Sequence, residues 1–454
     1  MEMRTHRQVG TGALPFVKST ARIAALGTLL VNPIFGCKSG PSEEEIKAAA
    51  KLQAQKAEAN AKDSEGRTPL MKAALIGEIE TVKRLIAQGA DVNARDKDGE
   101  TVLMRSTAWG KMDILELLIA KGADVDARDN DGKTALMKAA FFGRDEKVAF
   151  LLAHGAKVDA RDADGQTAFV RALRMGKTGT AELLVAKGAC VDTRDKDGDT
   201  ALMDAAVMGE VESVRFLIGK KADLDAKDHN GGTALSRAAG KRGEKIAELL
   251  IEAGAEVNTA DEKGWTPLMT TDSSETARLL IAHGADVDAR NAIDGTPLMN
   301  AAIFGNDDVA KLLLANGADV NAVDRNGCTA LLLASSGKDL AIVKLLVAKG
   351  ARVNVGGAGE TPLKNAIRNN NPDIEAFLIA HGADVNARDV HERTPLMDAV
   401  VTSDRYGTKS VELLLRKGAR VNLKDDSGST AMTWAVALRR WEAAALLKRH
   451  GGRE

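Results

Sequence analysis

Four acidic turns, one repeat length apart, are the first place in this chain where chemistry could reside. Asp-x-Asp-Gly occurs at 96–99, 129–132, 162–165 and 195–198. Carboxylates beside a glycine suit calcium, but an EF-hand loop needs acids at positions one, three and five and a glutamate at twelve. Setting Asp129, Asp131 and Gly132 in that frame puts Ala127 first and Lys138 twelfth. The ligand set fails, and turn formation explains the pattern. Gly176-Lys177-Thr178 has the ending of a phosphate-binding loop, yet Arg171 holds the place of its first glycine. His154, His283, His381 and His450 each precede a helix-ending glycine. A cation there suits the negative end of a helix, and the four lie in separate units, too far apart to share a metal. No Ser/His/Asp or Cys/His spacing marks a nucleophile. The expectation is a non-catalytic chain with no cofactor and no metal.

The acidic turns belong to a block of about 33 residues that recurs about twelve times. Its spine reads D-x-x-G-x-T-P/A-L-M, then Ala, then Gly, then L-L/I-x-x-x-G-A-D-V-N/D-A-R. It starts at Asp63, Asp96, Asp129, Asp162, Asp195, Asp228, Asp261, Asp324, Asp389 and Asp425, with altered starts near Asn291 and Gly356. Thr68-Pro69 is a helix start, the threonine oxygen capping free N–H groups and proline suiting the first helical position. Leu70, Ala73 and Ala74 give a short, small-sided helix. Gly77 permits a turn that a Cβ would resist. Val82, Leu85 and Ile86 form the apolar stripe of a second helix, and Gly89 ends it. Ala90 to Arg95 reads as an extended arm, and Asp96 to Gly99 as a turn leading to the next Thr101. One such unit is too small to enclose a core, so neighbours must cover both of its faces.

This block resembles the ankyrin repeat, whose signature is T-P-L-H-x-A in a unit of the same length. Thr68-Pro69-Leu70, Thr266-Pro267-Leu268, Thr296-Pro297-Leu298, Thr361-Pro362-Leu363 and Thr394-Pro395-Leu396 carry its first letters. The resemblance implies a mainly α fold over residues 63–454: a solenoid of antiparallel helix pairs with β-hairpin-like connecting arms. It departs at one letter. Met71, Met104, Met137, Met203, Met269, Met299 and Met397 stand where the family usually has a histidine that ties units together. Methionine cannot donate a hydrogen bond, so packing must replace it.

Charge is balanced, 63 Lys+Arg against 64 Asp+Glu, and aromatic residues are 3%. That composition offers neither a basic stripe nor the stacking platforms that nucleic acid needs. Cys190 and Cys328 lie about four units apart, roughly 40 Å at about 10 Å per packed helix, and a disulfide needs Cα atoms within about 7 Å.

Residues 1–37 read as a leader. Arg4, His6, Arg7, Lys18 and Arg22 precede a mostly apolar run from Ile23 to Phe35. The run is too short to span a membrane as a helix but fits a signal-peptide core. Ile34-Phe35-Gly36-Cys37 resembles the lipobox of bacterial lipoproteins, which implies lipidation at Cys37 and a place in the cell envelope, outer membrane or periplasm. An ordinary secretion signal and a cytoplasmic leader stay open. Residues 38–62 read as a tether and an N-terminal capping helix opened by the capping box Ser42-Glu43-Glu44-Glu45. The leader and tether leave about 62 residues before the array, little room for a catalytic domain. At the far end Trp434 and Trp441 are expected to face inward.

From motif leucine to second-helix glycine most units count 19 positions; Leu268 to Gly284 is three shorter and Leu396 to Gly418 three longer. The short unit predicts a change of curvature near 268–290. The long one predicts an extended loop at Thr402 to Tyr406.

The family resemblance implies that partners touch hairpin tips and the end of each first helix. Carried over, the helix-end pairs are Leu75-Ile76, Ala108-Trp109, Phe141-Phe142, Arg174-Met175, Val207-Met208 and Ile303-Phe304. The first five would align as one apolar strip on the concave side, and exposed strips of that kind mark interaction sites. Packing of these side chains onto adjoining loops is the alternative. Tip residues Glu100, Lys133, Asp199, Trp265 and Arg393 would add specificity. The reading is a monomeric scaffold for a protein partner, touching a membrane only through a lipid on Cys37.

Overall fold

The computed structural model describes residues 42–240 and 243–453. The leader, Cys37 and the tether before Ser42 lie outside the described residues. The described residues fall into two compact units, one ending at Ala57 and one beginning at Glu58. In the first of these a helix begins at Glu43 and runs on to Ala59. Ser42 and Glu45 form its reciprocal capping box, the Ser42 N–H donating to Glu45 Oε2 at 2.7 Å. Ile46 and Leu52 on this helix are exposed. No helix among the described residues is long and apolar enough to cross a membrane.

Among its described residues the second unit holds twelve helix pairs, from Pro69–Ile76 with Ile79–Ala87 to Ala431–Ala437 with Trp441–Arg449. Each first helix packs on its own second helix and on the first helix of the next unit. The spine residues form one continuous buried row, with Leu70, Leu103, Leu136, Phe169 and Leu202 among them. The small first-helix residues Ala73, Ala74, Ala139 and Ala140 are buried between helices, which explains why that helix cannot carry large side chains there.

Each polar letter of the block has a local task. The threonine Oγ1 accepts the N–H three residues on, as from Met71 to Thr68 at 3.3 Å. The methionine does more than fill space. Met104, Met137, Met203 and Met397 are buried, and each sulfur accepts the N–H of the capping threonine at 3.4–3.5 Å. Sulfur is a weak acceptor, so this capping box adds little beyond packing. The turn aspartate takes two backbone N–H groups on one oxygen: Asp96 Oδ1 accepts from Asp98 and Glu100 at 3.0 and 2.9 Å. That commits Oδ1 to the turn and leaves Oδ2 for another partner. The arm asparagine or aspartate reaches the next unit, Asn93 Oδ1 accepting from the Asp124 N–H at 2.8 Å.

Gly99 shows why the turn needs glycine. Its φ is +77°, and a Cβ there would lie 2.8 Å from the Asn130 backbone nitrogen of the following hairpin. The hairpins touch tip to tip at that point, where the Asn130 N–H donates to the Asp98 carbonyl at 3.0 Å. Asp294 and Glu392 hold the same left-handed position without being glycine (φ 61° and 57°), a local strain in those two units.

Four expectations change. The arm is not fully extended: the Ala94 N–H donates to Asp91 at 3.2 Å, closing a turn. The hairpins are minimal, with isolated bridges at Arg95–Thr101 and Arg194–Thr200 among the described residues. The extra residues after Leu396 do not make a loop; they lengthen the first helix to Pro395–Tyr406, since Thr402 and Ser403 hydroxyls return their hydrogen bonds to the helix carbonyls. Trp441 is exposed, whereas Trp434 is half-buried and donates from Nε1 to Asp425 at 2.8 Å.

Candidate functional site

The helix-end residues occupy the last turn of each first helix or the cap beyond it. Ile76, Trp109, Phe142, Met175 and Met208 recur at one position in consecutive units. Helix polarity explains their exposure. The inward stripe is filled by the motif leucine and the small residues, so the next position around the helix faces away from the stack. Ile76, Trp109 and Phe304 are 67%, 65% and 71% exposed, far more than a packed aromatic or aliphatic side chain would be. Met175 and Met208 are also exposed, and Leu75, Phe141 and Phe142 are half-buried.

Aromatic contacts tie two units together. The rings of Trp109 and Phe142 lie 5.4 Å apart at 55°, and those of Phe141 and Phe142 5.1 Å apart at 80°. Edge-to-face pairs of this kind stabilise by about 0.5–1.5 kcal/mol. Leu75, Trp109, Phe141 and Phe142 line one depression of about 290 Å³. Its floor is ionic. Arg105 Nη2 lies 3.1 Å from Glu100, and Lys138 pairs with Glu100 and, at 3.0 Å, with Asp129. The Lys138 ammonium is pushed down by burial, but the Glu100 and Asp129 carboxylates outweigh this and leave it raised.

A second depression of about 460 Å³ lies at the short unit and is lined by Trp265, Met269, Thr271, Asn300 and Phe304. The first helix there shrinks to Pro267–Thr270. The missing turn leaves room between neighbours, so Trp265 and Phe304 meet around one hollow. Met208 lines a separate narrow cleft with Leu173 and Asp204. The candidates thus fall into an aromatic cluster in units two and three, a pair at the short unit, and single exposed residues between.

One feature of this face escaped sequence reasoning. The turn aspartate pairs with the residue nine positions on, which is basic in five units. Lys72 reaches Asp63 at 2.8 Å, Lys138 reaches Asp129, Arg237 reaches Asp228 at 2.5 Å, and Arg105 and Arg171 hold Asp96 and Asp162. Hydrogen bonds from Lys72 and the Arg67 N–H hold the Asp63 carboxyl down at about 2. Trp434 plays the same part toward Asp425. In two units position nine is itself an aspartate. Asp204 and Asp398 are each pushed up by burial and answered by an arginine of the preceding unit, Arg174 at 4.0 Å and Arg368 at 3.2 Å. Lys364, in a methionine position, is fully buried and lies 2.9 and 3.1 Å from Asp389 and Asp398. The signal was present as an i, i+9 charge period and two sign changes within it.

The four histidines end helices as expected, each Nδ1 within 2.8–2.9 Å of the carbonyl four residues before. Among the described residues no three side chains gather that could hold a metal. Cys190 is an exposed free thiol; burial and Asp324 push the Cys328 thiol up.

Comparison with known proteins follows the same geometry. The family model described as "Ankyrin repeats (3 copies)" matches overlapping segments from residues 42–129 through 355–425. Ankyrin repeat and SOCS box protein 6 of Homo sapiens is 42% identical over 78 residues, 17% of this chain and 18% of that protein. Transient receptor potential cation channel subfamily A member 1 of Drosophila melanogaster is 38% identical over 76 residues, 17% of this chain and 6% of that one. ADP-ribosylation factor GTPase-activating protein AGD2 of Arabidopsis thaliana is 33% identical over 73 residues, 16% of this chain and 9% of the relative. The match spans less than a fifth of each relative's length.

Proposed function

We infer, for a chain that belongs to the ankyrin-repeat family, that its task is non-catalytic: it holds a protein partner along the face made by the first helices and hairpin tips. The observation that carries this is the aromatic cluster over a depression, in which Trp109 is exposed and Phe141 and Phe142 are half-buried. Large rings left in water cost free energy that burial against a partner recovers, and rings of this type dominate binding energy at interfaces. The ionic floor of Arg105, Glu100 and Lys138 would orient polar groups of the bound segment. Trp109→Ala with Phe142→Ala is expected to abolish partner capture by the immobilised chain, each truncation weakening it by about 2 kcal/mol or more. Undiminished capture would remove the cluster from the interface.

We further propose that the scaffold is a monomer tethered to a bacterial envelope membrane through a lipid on Cys37. Support comes from the apolar run Ile23 to Phe35 ending at Gly36-Cys37. Two acyl chains anchor stably where one does not, so the lipid on Cys37 would have to carry at least two. Cys37→Ser should end palmitate incorporation and move the protein to the soluble fraction. An unlabelled wild-type chain in the soluble fraction would favour a cytoplasmic or secreted regulator instead.

A further inference from the structure

Three cations stand beside the aromatic cluster without an ion-pair partner among the described residues. Lys111, Arg144 and Lys177 cap the second helices of units two, three and four, at one position of the repeat. All three are exposed, and none makes a side-chain capping bond. Among the described residues none is in an ion pair, whereas Lys72, Arg105, Lys138 and Arg171 on the first helices are held by turn aspartates. A cation at a helix N-terminus opposes the helix dipole, so these residues do not serve the helices they open. Units one and five have Glu78 and Glu210 at the same place, which confines the positive stretch to three units.

Their stems reach back across the preceding unit. A Cβ on Gly77 would meet Lys111 Cε at 3.1 Å, and one on Gly143 would meet Lys177 Cδ at 2.9 Å. The Arg144 guanidinium lies 6.0 Å from the Trp109 ring centroid. Each charge is thereby carried to the exposed row of Ile76, Trp109 and Phe142. Local acids do not cancel the stretch throughout. Asp145 is engaged by the Thr180 hydroxyl, while Glu146 shares a depression with Arg144 and Lys147. Lys147 is spent on structure, donating to the Ser106, Thr107 and Gly110 carbonyls at 3.0, 3.0 and 2.7 Å.

We propose that units two to four bind a protein segment in which carboxylates alternate with apolar side chains. The apolar groups seat on Trp109, Phe141 and Phe142, and the carboxylates meet Lys111, Arg144 and Lys177. This rests on the docking face inferred above and names its ligand. Units stack at about 10 Å and an extended chain advances about 3.3 Å per residue, so carboxylates recur about every third residue. Aromatic rings with cations also suit single-stranded nucleic acid, which needs open ring faces. Here Trp109 and Phe142 tilt onto each other and Arg144 lies over the tryptophan, which favours the protein segment.

The test is a displayed library of random peptides, about twelve residues long, selected on the full chain. Selection is repeated on Lys111→Gln/Arg144→Gln/Lys177→Gln and on Trp109→Ala/Phe142→Ala. The expected result is an acidic-apolar consensus whose synthetic peptide binds about tenfold or more weaker to the triple variant, with a steep loss in salt. A consensus without acids, or one indifferent to the triple variant yet lost on the aromatic variant, overturns the acidic class and keeps the docking face. Enrichment that survives both variants, or no enrichment at all, removes the docking face as well. Tighter binding of an oligothymidylate than of the selected peptide overturns the protein assignment.

Discussion

Replacing Lys364 by alanine is expected to cost about 3–5 kcal/mol, the range for breaking a buried ion pair from one side. The side chain is wholly buried; it forms ion pairs with Asp389 and Asp398 and donates to the Arg393 carbonyl at 2.7 Å. Removing it leaves two carboxylates of the next unit facing only Arg368, which is one-third exposed on its side chain. The pH dependence has a definite sign. Burial pushes the Asp398 carboxyl up, against the pull of Lys364 and Arg368. Burial also pushes Asp389 up, but hydrogen bonds from Lys364 and the Arg393 and His391 N–H groups hold it below the usual range. A lowered carboxyl contributes stability above its unfolded pKa and loses it as pH falls through the folded value. A raised one does the reverse, costing stability as pH rises through its folded value. Loss of Lys364 raises both. The deficit of the variant should therefore be greatest near neutral pH and shrink on acidification toward pH 4, followed by urea midpoints across that range. Lys364→Met with Asp398→Asn should recover most of the loss, because Met397 fills this position in the next unit and Leu332 in the preceding one, and buried pairs exchange for apolar packing at little cost. A deficit independent of pH would mean that lost packing, not uncompensated charge, is responsible.

The second large effect is at Phe169, fully buried at the motif-leucine position of unit four. Its ring lies 6.4 Å from that of Phe216 on the second helix of unit five. Phe169→Ala should cost about 3–5 kcal/mol, and the loss should be felt as a break rather than a uniform softening. In a stack each unit is stabilised by its own interior and two interfaces. Weakening unit four cuts the coupling between units one to three and units five onward. Urea unfolding is expected to separate into two steps, with pulse proteolysis cutting first near residues 162–194. A single sharp transition with an unshifted midpoint would contradict nearest-neighbour coupling.

The repeat was legible because its letters are local. Thr68-Pro69, Gly77 and Gly89 mark two helices within thirty-three residues, and each mark depends on one backbone conformation. The position of Trp109 and Phe142 at helix ends followed from the same register. Three features depended on the neighbouring unit and were not legible in one block. The i, i+9 pairing of Asp63 with Lys72 needs the hairpin to fold back over the first helix. The Lys364 cluster needs side chains from two units. The hollow between Trp265 and Phe304 needs a shortened helix beside a full one. The three extra positions after Leu396 predict a loop on spacing alone, yet helix continuation satisfies the Thr402 and Ser403 hydroxyls. Trp441 is expected inside beside Trp434, yet it opens the helix Trp441–Arg449 and is exposed there.

The side chains that seal units and those that meet a partner must be different sets if the first-helix face is a docking surface. Thermal melting of Trp109→Ala/Phe142→Ala, run beside Phe169→Ala, separates them in one measurement. The aromatic-row variant should melt within about 4 °C of wild type, its loss limited to the contacts of Trp109 with Phe142, of Phe141 with Phe142 and of Arg144 with Trp109, while Phe169→Ala falls far lower. A fall in the first variant as large as in the second would place those rings in the core and contradict the docking face.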